Sequence, residues 1–182
     1  MKFLSAFGIF TACSLSLASL TGFILVAQAQ QQPVRFICEQ TVNPQDNQAY
    51  PTTYVVTDRG KIPVIRWNYE WFGNRNTVLQ GRCQTVSSSL QAAYDNGSLN
   101  FITNTRSDGQ PVICSTGRSL GSCVTILAAF RSSDQALEAL LKLKEVLGGE
   151  IVRLPSPRFS PNSQMFISLD MDSFLANVSV DN

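Results

Sequence analysis

Gly117-Arg118-Ser119-Leu120-Gly121 spells G-x-S-x-G, the turn that lifts a serine nucleophile above the sheet of an α/β hydrolase. That chemistry needs a histidine to take the serine proton, and none of the 182 residues is a histidine. No S-x-x-K occurs either, so the serine–lysine substitute is missing. The string sits between two cysteines in a turn-rich stretch and reads as a glycine-rich turn. Asp170-x-Asp172, and Asp95 and Asp108 close to glycines, touch on calcium chemistry. A calcium loop supplies several oxygens at fixed offsets, and none of these strings does, so turns and caps account for them.

The cysteines carry the most definite chemistry. Cys38, Cys83, Cys114 and Cys123 follow a leader that itself holds Cys13. No C-x-x-C occurs and no histidine can complete a ligand set, so neither a metal nor another cofactor is expected. An even number of cysteines in an exported chain is most simply a pair of disulfides, with three pairings open on count alone. Cys114 and Cys123 flank a turn between two apolar strands and are expected as cross-strand neighbours. That leaves Cys38 with Cys83, tying the first strand to the first helix.

A third set is polar and aromatic. At strand spacing Ile65, Trp67, Tyr69 and Trp71 share one face, and Arg66, Asn68 and Glu70 the other. Exposed, these aromatics would stack on sugar rings or rest at a lipid interface; packed inward, they form the inner face of a sheet. Arg66, Trp67, Tyr69, Trp71 and Arg82 are therefore the candidate binding surface, with the two arginines suited to an ion pair or an anionic group.

The elements that must position these groups follow from the pattern. Residues 1–29 read as a secretory signal peptide: Lys2, a long apolar run, then Ala27-Gln28-Ala29 as a cleavage site. The competing reading is an uncleaved membrane anchor. Strands are expected at Val34–Cys38, Thr52–Thr57 and Ile62–Tyr69, the last two as a hairpin through Asp58-Arg59-Gly60-Lys61. A polar loop, Phe72–Asn76, leads to a helix from Gly81 to Gly97 with Cys83, Val86, Leu90 and Ala93 on its inner face. Leu99–Thr103 reads as a strand, Asn104–Gly109 as a turn and Gln110–Cys114 as the return strand. Cys123–Phe130, almost continuously apolar, is the strand expected at the centre of the sheet. Ser132 and Gln135 form a capping box for a second helix ended by Gly148-Gly149.

The fold class is therefore α+β: a single domain, mostly antiparallel sheet with two helices packed on one face, in the order βββαβββα plus a C-terminal extension. The domain spans 30–149; residues 150–182 read as a Pro/Ser connector, an edge strand around Ile167, Leu169 and Met171, and a helical turn. Charged residues are only 15% of the chain, with 14 basic and 13 acidic. That balance gives no electrostatic footprint for nucleic acid.

Several strings together resemble one family. Ile65-Arg66-Trp67, Arg82-Cys83-Gln84-Thr85-Val86-Ser87, Gly97-Ser98-Leu99 and Gly109-Gln110-Pro111-Val112-Ile113-Cys114 are similar to the circadian oscillating protein family of cyanobacteria, over roughly residues 36–147. The resemblance implies a cyanobacterial source, export to the cell envelope and peripheral attachment to a membrane. It implies no reaction. The expected function is thus a non-catalytic envelope module that binds a protein partner, a wall glycan or a membrane surface, in the periplasm or the thylakoid lumen. The alternative is a histidine-free hydrolase of wall polymers, which requires two carboxylates facing each other across a groove, about 5–10 Å apart.

Overall fold

The computed structural model describes residues 33–68, 76–152 and 164–180. The chain begins with an antiparallel meander of β1 (Arg35–Val42), β2 (Ala49–Thr57) and β3 (Gly60–Arg66). The β2–β3 hairpin turns through Asp58 and Arg59 into Gly60, whose φ of 133° is open to glycine and strained for other residues. β1 runs four residues past Cys38, because the polar stretch Glu39–Val42 pairs along β2 down to Ala49. At the far end Asp46 closes the β1–β2 loop. Its carboxylate accepts from the Gln48 amide and the Tyr50 hydroxyl, which hold its pKa below the ordinary value.

Helix α1 (Asn76–Asp95) starts five residues earlier than the spacing predicts and carries Gly81 inside it. Leu79, Cys83, Val86, Leu90 and Ala93 are all buried, so one continuous inner face holds the helix across the glycine. Its end is a Schellman motif: Ser98 N–H reaches Ala93 O, Gly97 N–H reaches Tyr94 O, and Gly97 has φ 70°. α1 packs on β1, β2 and β6.

The second sheet has five strands in the order β6-β5-β4-β8-β7, all antiparallel: β4 (Phe101–Ser107), β5 (Gln110–Thr116), β6 (Thr125–Ala129), β7 (Glu150–Val152) and β8 (Phe166–Ser168). Residues Asn104–Ser107 continue β4, so the turn expected over Asn104–Gly109 shrinks to Asp108-Gly109. β6 lies at the edge of the sheet and not at its centre. The sheet grows from the other side of β4, where β8 pairs with Phe101–Thr103, and Ile126 is left 44% exposed. β8 in turn is an interior strand and not an edge, because β7 covers its far side.

Helix α2 (Ser133–Val146) packs on β3, β4 and β5. Ser132 caps it by accepting from Gln135 N–H, while Gln135 Oε1 reaches back to Arg131 N–H. Lys142 pairs with Glu138 at 3.0 Å, as the i,i+4 spacing predicts. A short third helix, α3 (Met171–Asn177), buries Met171 and Phe174. The Arg59 guanidinium, from the β2–β3 turn, donates to the carbonyls of Leu175, Ala176 and Val178, satisfying groups that the end of α3 leaves unpaired. One apolar core runs through both sheets and all three helices, from Phe36 and Val55 through Leu90 and Ile113 to Ile167 and Phe174.

Candidate functional site

Cys38 on β1 and Cys83 on α1 have Cα atoms 5.6 Å apart, as do Cys114 on β5 and Cys123 in the loop before β6. Both separations are those of a disulfide, in the pairing that the order of elements predicts. Beside the first pair lies a buried polar knot. Thr53 Oγ1 accepts from Trp67 Nε1 at 2.9 Å and from Ser87 Oγ at 3.1 Å. It lies 3.8 Å from Cys83 Sγ; a bridged sulfur has no proton, so the threonine hydroxyl donates to it. One hydroxyl thereby uses its proton and both lone pairs to join β2, α1 and the segment after β3.

That knot decides the orientation of the aromatic stripe. Trp67 is 3% exposed and turned inward. Arg66, its neighbour, is exposed and donates to Asn43 Oδ1 at 3.3 Å. Arg82 is half-buried on α1, one residue before Cys83, and does not line the groove described next. Tyr69 and Trp71 lie outside the described residues. Of the proposed surface, the structure brings together Arg66 and Trp67.

They meet at a groove of about 310 Å³ that opens between β3 and β6, the facing edge strands of two separate sheets. Val64–Trp67 forms one wall and Leu127, Ala128 and Phe130 the other. Val86 and Leu90 of α1 with Ile113 of β5 are buried at its inner end. α2 supplies Ala139 and Leu143, then Lys142, Glu145 and Val146 toward solvent. Glu145 is the single carboxylate among the described lining residues. The sequence marked Val86 and Leu90 as part of the inner face of α1. Nothing local signals the groove, because its walls lie some sixty residues apart.

Other chemistry is sparse among the described residues. Ser119 of the G-x-S-x-G string is exposed in the loop between β5 and β6, with no helix following it. No Asp or Glu among the described residues is buried, and no group of His, Cys, Asp and Glu among them is placed to hold a metal ion. Asp58, Asp95 and Asp172 border a second, open hollow beside Arg59, and all three are exposed. No helix of the described residues is long and apolar enough to cross a membrane.

Fold and site define an α+β domain with two cysteine pairs and an apolar groove between β3 and β6. Residues 35–176 match the family model described as circadian oscillating protein COP23, and the chain belongs to that family. No curated protein and no solved structure matches it significantly.

Proposed function

We propose that this protein is an exported cell-envelope module of a cyanobacterium that binds rather than catalyses, attached peripherally to a membrane or to the wall. The observation that carries the reading is the groove between β3 and β6: an apolar interior with charge confined to its mouth is built to hold a ligand and offers no acid–base pair. Export is supported by the leader of residues 1–29 and by two cysteine pairs of the kind that persist in oxidising compartments. The hydrolase reading asks for paired carboxylates in a cleft; Asp58, Asp95 and Asp172 border an open hollow, but all three are exposed beside Arg59 and none is enclosed, which favours the binding reading.

Fractionation of cells expressing the full chain tests this reading. The expected product begins at Gln30, carries no free thiols, and leaves the membrane fraction in a carbonate wash. Recovery from the cytosol with four free thiols overturns export, and release of reducing sugars from purified wall overturns the non-catalytic assignment.

A further inference from the structure

We infer that the groove between β3 and β6 receives Leu120 from a second copy of this chain, in a two-fold dimer in which each copy gives its loop and takes the other's. This rests on the reading of the groove as the binding site and names its occupant.

The loop between β5 and β6 carries a cost that nothing inside the molecule offsets. Arg118–Gly121 is a tight turn, closed by Gly121 N–H to Arg118 O at 3.1 Å and braced by the Thr116 hydroxyl on the same carbonyl at 3.0 Å. Its third residue, Leu120, has φ 56°, a conformation that such turns give to glycine or asparagine. The side chain is 52% exposed. Leucine at this position is thus strained in its backbone and wet on its side chain. Strain of this kind persists where a function uses it, and a partner's pocket would take the side chain out of water. The Cys114–Cys123 pair closes the loop, so little conformational freedom remains to be lost on docking.

Two features name the occupant as a second copy. The first is charge. Arg118 has no ion pair among the described residues, and the chain carries no carboxylate between Asp108 and Asp134. At the mouth of the groove Lys142 is already matched by Glu138 at 3.0 Å, and Arg66 stands on the opposite wall, bonded to Asn43. Glu145 is exposed and has no ion pair among the described residues, so it is the charge that an incoming arginine meets. The second is order along the chain. The loop enters β6 at one end, and Leu127, Ala128 and Phe130 wall the groove toward the other. Between them Val124 is 58% exposed and Ile126 is exposed as well. Two β6 strands set antiparallel, about a two-fold axis near Ile126, lay the loop of each copy over the groove of the other and cover that apolar row. The groove, about 310 Å³, falls at the small end of ligand sites and suits a side chain or two.

Sedimentation equilibrium of the purified, oxidised protein tests the assignment, with a dimer expected that dissociates on dilution. Arg118→Glu and Glu145→Arg, each acting twice in a two-fold dimer, should each weaken association about tenfold. Combined in one chain they should restore it, because the pair is made again with its signs exchanged. Leu120→Gly should leave monomers and yet, at a dilution where the wild type is monomeric too, raise the thermal midpoint by about 2 °C. Ala139→Phe, which fills the groove, should also leave monomers. A dimer indifferent to these changes, or a double exchange that fails to restore it, overturns this interface. A wild type that stays monomeric overturns the second copy as occupant. In that case one-to-one binding of Nile red, abolished by Ala139→Phe, keeps the groove as a binding site for another ligand, and no dye binding overturns that reading too.

Discussion

The two cysteine pairs have the same Cα separation, 5.6 Å, and very different surroundings. Cys38–Cys83 spans 45 residues and joins the three-stranded sheet to α1, with Cys83 fully buried against Thr53. Cys114–Cys123 spans 9 residues and joins a strand to the loop that leads into its own neighbour, with Cys123 exposed. The β5–β6 pairing already brings those two close, since Cys114 lies opposite Ile126. A bridge is worth most where it closes a long loop that no hydrogen-bonded ladder closes for it. The first pair therefore holds the architecture, and the second trims a loop.

The largest effect expected from this contrast is in stability. In the chain-entropy model, replacing Cys38 and Cys83 by alanine removes about 4 kcal/mol, and replacing Cys114 and Cys123 about 2.6 kcal/mol. Urea unfolding of the two double variants measures the difference, and equal losses would break the comparison. Thr53→Val comes next: it leaves the Trp67 N–H and the Ser87 hydroxyl without their shared acceptor in the core, for a loss of about 2 kcal/mol. Added to the Cys38/Cys83 variant it should be non-additive, because the hydroxyl also touches that sulfur; added to the Cys114/Cys123 variant it should simply add.

Access sharpens the same contrast. Limited reduction followed by alkylation and peptide mapping should label Cys123 and Cys114 before Cys38 and Cys83, since thiolate attack requires a reachable sulfur. The smallest effect has the opposite sign. Gly81 lies inside α1, two residues from Cys83, and a Cβ there meets nothing within 4 Å. Gly81→Ala should stabilise by about 0.5–1 kcal/mol in thermal unfolding, without altering either bridge.

The sequence makes the inner face of α1 legible because a 3.6-residue period survives whatever packs on it: Cys83, Val86, Leu90 and Ala93 are all buried. The helix stops, the β2–β3 hairpin and the capping box are equally local and appear where their residues place them. What depends on distant partners does not. The apolar run of β6 has the composition of a central strand, yet β8, some forty residues later, decides which side of the sheet grows. β7 holds three residues, too few for a period to show; the strand around Ile167 is legible as β8, but not that β7 covers its far side. The first turn of α1 hides behind Gly81, a residue that by itself argues against a helix. At the candidate site, Arg66 and Trp67 stand out by type, but the opposing wall and α2 join them only through the fold.

The position of β8 also governs how the molecule is put together. Phe166–Ser168 threads between β4 and β7, so the larger sheet stays split until the last tenth of the polypeptide arrives. A chain made N-terminus first can complete its opening meander early, while β4 waits with one edge bare. Premature truncation would release a species with an unsealed edge, and such edges are where strands from different molecules find each other.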